Sequence, residues 1–215
     1  SLDCLQSYFS ERGHKMRIIA PASERLARIV HNFKNRKALV LGDLMLDRYI
    51  WGNVSRISPE APVPVVEVKA DSRCLGGAGN VAQNLSSLGA SPLLVGVVGD
   101  DEEGHWIKKN VPNAQGIFTN KARPTTVKTR IIAHHQQVVR VDLEKKGLLP
   151  AELEKKILNF VSSQEYEGIL ISDYNKGIVN PSLIAKLLLF ASEHHIPVYV
   201  DPKIEHFSLF SPVTL

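Results

Sequence analysis

The stretch Leu75–Ala90, LGGAGNVAQNLSSLGA, opens with a glycine cluster and runs into a helical pattern, which suits close approach of a ligand to backbone amides. Three ligands compete for it: the pyrophosphate of a dinucleotide, the phosphates of a mononucleotide, or the uncharged hydroxyls of a sugar. Gly77, Gly79 and Ala82 match the relaxed Gly-x-Gly-x-x-Ala fingerprint, and Asp100 follows at about 20 residues, as a dinucleotide site requires. That fingerprint needs an apolar strand entering the first glycine, however, and the approach here, KADSRCL, is polar. The Gly-x-x-x-x-Gly-Lys-Ser/Thr form of a mononucleotide loop is absent, and the cluster holds no basic residue. It holds Asn80, whose amide both donates and accepts, as hydroxyls do. The plain alternative is a tight turn with a helix cap. Asp47, in GDLMLD after the first strong strand, falls where ligands collect on α/β sheets, and its carboxylate is a strong acceptor for sugar hydroxyls. A turn or cap role fits it equally well.

The elements that must position these residues alternate. An amphipathic helix, with Leu26, Ile29, Val30 and Phe33 at helical spacing, precedes the apolar strand KALVLGD. A helix from about Asn80 follows, then a strand at PLLVGVVGD, helices near 103–110 and at 151–163, a strand at GILIS, a helix opened by Asn180-Pro181, and a strand at PVYVD. This alternation predicts an α/β domain with a mostly parallel sheet flanked by helices. Two segments break the rhythm: GNVSRISPEAPVPVVEV, with its prolines, and TTVKTRIIAHHQQVVRVDLE, which reads as two adjoining strands. With no helix to cover them, they are expected to form a small separate β-sheet, a lid over about 50–72 and 124–144.

Composition narrows the partners. The 215 residues are 44% hydrophobic and 22% charged, an ordinary globular balance, and the net charge of +4 is spread over short lysine pairs. No nucleic-acid partner is implied. No apolar run is long enough to span a bilayer, the first residues are too polar for a signal peptide, and the two cysteines, Cys4 and Cys74, have no metal or redox spacing. A cytoplasmic location with free thiols is expected, without a membrane partner. The adjacent histidines His134-His135 and His194-His195 diverge, which is poor metal geometry; the first pair reads as lid surface and the second as charges near a helix end.

The chain resembles the PfkB (ribokinase-like) sugar kinases: Gly76-Gly77-Ala78-Gly79-Asn80-Val81-Ala82, with Gly89 and Gly99 at their spacing, satisfies the first signature of that family. Within it, GDLMLDRYIWGNVSRISPEAPVPVVEV, GGAGNVAQNL, PTTVKTRIIAHHQQVVRVD, SDYNKG and VDPK are similar to the kinases of D-glycero-D-manno-heptose 7-phosphate, RISPEAPVP most tellingly. The resemblance runs from about Lys37 to Leu215, leaving 1–36 as an N-terminal extension and helix. It implies a ribokinase-like fold, a lid that mediates homodimerisation, ATP and magnesium, and phosphorylation of the anomeric hydroxyl on the route to ADP-heptose for lipopolysaccharide. It implies sugar contacts from Asp47, Gly76, Gly77 and Asn80. Lys128, Arg130 and Arg140 on the lid strands are the candidates for the phosphate the sugar already carries, since guanidinium groups match phosphate oxygens in two-point geometry; exposed strand charges are the alternative. In this family the positions of Asp173 and Lys176 in SDYNKG, and of Asp201 and Lys203 in VDPK, face the reaction centre and the nucleotide side. Lys176 and Lys203 would there steady the transferring phosphate. Arg56 and Glu60 fit a substrate contact, a subunit contact or a structural role.

Family members carry, after VDPK, an Asn-x-x-Glu motif and later a Gly-Ala-Gly-Asp segment that supplies an anion hole and the catalytic base. Neither precedes the final SPVTL, so no base is assigned, and the C-terminal part of the fold is expected to be missing. Two readings follow: part of a full heptose 7-phosphate kinase, or a phosphosugar-binding module without a nucleotide subsite. A PfkB kinase acting on another sugar remains a variant of the first.

Overall fold

The computed structural model describes residues 21–111, 113–145 and 147–210; residues 1–20 of the expected extension over 1–36, with Cys4, and the final SPVTL lie outside the described residues. Helix α1 (Pro21–Asn32) leads to β1 (Lys37–Gly42), whose aliphatic residues are buried on both faces. Such a strand belongs in the middle of a parallel sheet. It lies between β4 (Ser91–Val98) and β8 (Gly168–Ser172), with β5 (Ile117–Thr119) and β9 (Val198–Asp201) outside them, giving the order β5-β4-β1-β8-β9, all parallel.

Helices cover both faces. On one, Leu39, Leu41, Ile169 and Ile171 pack with Ile157 and Val161 of α4 (Ala151–Ser162) and Leu183 and Leu187 of α5 (Pro181–Glu193). On the other, Val40 and Leu94 meet Ala82 of α2 (Ala78–Ser87) and Ile107 of α3 (Glu102–Asn110). Each fully buried Leu or Ile contributes about 1.5–3 kcal/mol, so these two layers hold the helices against the sheet. Asn180 starts α5 as expected: its side chain accepts from the Leu183 amide at 2.9 Å, and Pro181 occupies the first turn. Asn180→Ala should cost about 1 kcal/mol, read as a lower urea midpoint with an unchanged slope.

The segments that broke the alternation form the second sheet, ordered β3-β2-β6-β7. β2 (Leu44–Ile57) and β3 (Pro64–Gly77) are antiparallel, β2 runs parallel to β6 (Thr126–Ala133), and β6 and β7 (Gln136–Leu143) make a hairpin. The first lid segment runs deeper than 50–72, from Leu44 to Gly77, because Leu44, Leu46 and Leu75 at its roots are buried in the second core, while β6 and β7 fall within 124–144. KADSRCL is the end of β3, a lid strand antiparallel to β2, so the glycines do not follow a central parallel strand. His134 and His135 are the hairpin turn, with φ of 49° and 62°. This two-residue turn needs left-handed backbone at both positions, which Asn-Gly would have advertised and His-His does not. His194 caps the end of α5 and stacks on Phe190 with ring centroids 4.2 Å apart.

Candidate functional site

Register decides which lid residues share a face. Asp47 lies opposite Cys74 on β3 and beside Lys128 on β6, Tyr49 beside Arg130, and on β7 Asp142 and Arg140 stand opposite Lys128 and Arg130. Partners aligned across strands point the same way. Asp47, expected to meet sugar hydroxyls, and Lys128, Arg130 and Arg140, expected together to meet a phosphate, thus occupy one charged face. Arg130 pairs with the Asp47 carboxylate through Nη1 and lies 5.3 Å from the Tyr49 ring centre. The hydrogen bond to Asp47 holds the Arg130 guanidinium above its usual range. Arg140 pairs with Asp142 at 2.9 Å. Arg130 is therefore committed to Asp47 and Arg140 to Asp142 in a more exposed pair, and among the described residues Lys128 is the cation of this face that makes no ion pair.

The same face meets Gly76. A Cβ on Gly76 would run into the Asp47 carboxylate and the Met45 side chain. Gly77 caps α2 with φ +56° and ψ −134°, a conformation that favours glycine, and a Cβ there would overlap the Asp43 carbonyl oxygen, which accepts from the Ala78 amide at 3.0 Å. Asn80 is exposed in the first turn of α2.

Asp43, between β1 and β2, is 2% exposed and is the residue that sequence reasoning overlooked. It sits where β1 has β4 on one side and β8 on the other, the crevice at which open α/β sheets bind ligands. Its Oδ2 accepts from the amides of Tyr174 at 2.9 Å and Lys176 at 3.0 Å, and its Oδ1 from Ile178 at 3.3 Å. Burial pushes this carboxyl above the ordinary carboxylate range; the amides of Lys176, Tyr174 and Ile178 pull it back, and nearby Asp173 adds to the rise. The Gly-Asp closing KALVLGD was a signal of a strand end and no more, since its partners are 131 or more positions away.

The ends of β8 and β9 meet in a second cluster. Asp173 is completely buried: Oδ1 accepts from Asn175 N at 2.8 Å, and Oδ2 takes Lys203 N at 3.1 Å and His206 Nδ1 at 2.8 Å. The carboxylate is spent on holding the two loops together. Lys176 Nζ reaches Glu144, just past β7, at 2.6 Å. Asp201 ends β9 exposed, its carbonyl accepting from Asp173 N, and Lys203 Nζ lies 5.4 Å from the Tyr174 ring centre. Arg123 donates through Nη1 to the Lys176 carbonyl, and burial lowers its guanidinium while the charge of Asp43 raises it. Asp100, the acid of the dinucleotide reading, lies near Lys121 (3.7 Å) and His105 (3.8 Å) at the surface, while its neighbour Asp101 caps α3 through Gly104 N at 2.8 Å.

Among the described residues no group of three or more His, Cys, Asp or Glu side chains is arranged to hold a metal ion, so they form no protein-built cage for the expected magnesium. No helix among them is long and apolar enough to cross a membrane.

A parallel five-stranded sheet under helices, with a four-stranded lid rooted at its carboxyl edge and a glycine turn beneath that lid, is a ribokinase-like fold. The model of the pfkB family carbohydrate kinases matches residues 35–212, and the chain belongs to that family. The chain is 51% identical over 186 residues to the bifunctional protein HldE of Helicobacter pylori strain HPAG1, covering 84% of this chain and 40% of that protein. It is 43% identical over 194 residues to the bifunctional protein HldE of Pelobacter propionicus, with 87% and 40% covered. It thus spans well under half the length of these curated relatives. Among solved structures it superposes on Escherichia coli phosphofructokinase-2 in complex with fructose-6-phosphate (TM-score 0.61, 21% identity, 82% of this chain and 57% of that one) and on Arabidopsis thaliana ribokinase complexed with ribose and ATP (0.54, 13%, 78% and 53%).

Proposed function

We propose that these residues form the sugar-phosphate half and the lid of an ATP-dependent kinase that converts D-glycero-D-manno-heptose 7-phosphate to the 1,7-bisphosphate. One observation carries the reading: Asp47, oriented by Arg130, lies against Gly76, next to the turn that starts α2, and shares a single lid face with Lys128 and Arg140. That is an acceptor for hydroxyls next to cations for a phosphate. The family and the HldE relatives support a sugar kinase; the choice of a heptose rests on the strings from GDLMLD to VDPK.

In this reading Asp47, the Gly76-Gly77 backbone and Asn80 orient the sugar, while Lys128 and Arg140 hold its 7-phosphate. The anomeric oxygen bonds to the γ-phosphorus as the bond to the ADP oxygen breaks, and Lys176 and Lys203 offset charge on the transferred group. The hydroxyl proton goes to a base that none of these residues supplies. Val139, Val141 and Leu143 on β7 are exposed on the lid face opposite the charged one, which supports a homodimer made through the lid.

The test uses the protein from the complete reading frame, with ATP and heptose 7-phosphate, and mass spectrometry of the product. Lys128→Met and Arg140→Met should each raise KM for the phosphosugar about 10- to 100-fold, the equivalent of a charge-assisted bond of about 1.5–3 kcal/mol. Binding without any product would leave a phosphosugar-binding module; no binding at all would end the substrate assignment.

A further inference from the structure

Lys176 is held at three atoms, and each holder comes from a root of the lid. Its amide donates to Asp43, which directly precedes β2. Its carbonyl accepts from Arg123, just ahead of β6. Its ammonium pairs with Glu144, directly after β7, with side chains 14% and 28% exposed. Three lid strands therefore end on one residue of the β8–α5 loop. That loop needs external support, because Asn175 and Gly177 both have positive φ (53° and 99°) and the backbone cannot settle into a helix or strand there.

The restraint matters for chemistry that depends on position. A lysine side chain is long and loses considerable rotamer freedom when it is fixed, so an ammonium that must meet developing charge is useful only where its backbone and its tip are both located. Asp43 and Arg123 locate the backbone through the two peptide units that flank the Lys176 Cα. Glu144 locates the tip.

We propose that Asp43, Arg123 and Glu144 are positioning residues that act through Lys176, fixing its ammonium at the phosphoryl-transfer end of the site and tying its place to that of the lid. The proposal rests on the kinase reading above. Asp47 and the glycine pair serve the sugar; this second set serves the charge that moves.

A double-mutant cycle in the full-length protein tests it, with Glu144→Gln and Lys176→Met made singly and together and assayed for ATP-dependent phosphorylation of heptose 7-phosphate. Glu144 is partly exposed, so the glutamine removes charge with little change in packing. Each single variant should lower kcat about 10- to 100-fold, the cost of a misplaced group, with KM for the sugar phosphate within about twofold. In the double variant Glu144→Gln should add nothing to Lys176→Met, because its effect passes through the missing ammonium. Arg123→Lys should show the same lack of additivity against Lys176→Met. Losses that multiply, or a Glu144→Gln variant with wild-type kcat, overturn the positioning assignment while the kinase reading stands. A folded wild-type protein that phosphorylates no sugar phosphate overturns the kinase reading itself, and the assignment with it.

Discussion

Asp47→Ala in the intact protein is expected to lower kcat/KM for the phosphosugar about a thousandfold, with KM for ATP nearly unchanged. A charged acceptor on a sugar hydroxyl contributes about 1.5–3 kcal/mol, and loss of orientation at the reacting end adds to it, for a total near 4 kcal/mol. The truncation also leaves Arg130 without the carboxylate it now holds, and a part-buried guanidinium without its partner will seek the substrate's phosphate instead. A shift in sugar-phosphate KM should therefore accompany the fall in kcat. Steady-state kinetics with both substrates varied decides the matter, and activity within threefold of wild type would remove Asp47 from the site.

Gly77→Ala is expected to cost about 3–5 kcal/mol of stability. The residue has φ +56° and ψ −134°, which alanine adopts only under strain, and the added methyl would collide with the Asp43 carbonyl, which is backbone and cannot turn aside. Since a domain of this kind has only about 5–15 kcal/mol in total, much of the chain should be lost to the insoluble fraction. Urea unfolding of the soluble remainder gives the number. A midpoint equal to wild type would show that the turn relaxes without strain.

The different fates of neighbouring residues show how far pattern reasoning reaches. GILIS and KALVLGD were legible because a run of aliphatic residues on both faces has few stable environments other than a covered parallel sheet. The start of α5 was legible because Asn-Pro satisfies the first free amides within its own turn. The glycine cluster was legible because the absence of side chains has a local meaning.

Asp43, Arg123 and Glu144 were not legible. Each does its work with a partner far along the chain: Asp43 with residues beyond 170, Arg123 with Lys176, Glu144 with the same lysine. Nothing adjacent to them in sequence marks a buried acceptor or a clamped carbonyl. Arg130 illustrates the converse. Its charge and its strand were readable, but its partner was settled by a register that places Tyr49 beside it and Asp47 one pleat below.

Local spacing by itself therefore determined the alternation of elements and the two-sheet division, and it offered the Gly76–Asn80 turn and the lid charges as candidates for a sugar and its phosphate. Only the tertiary structure decided which of those charges remain available and which are spent on one another. The reason is physical: periodicity and turn chemistry act between residues a few positions apart, whereas a hydrogen bond or ion pair acts over about 3 Å in space and takes no account of separation along the chain.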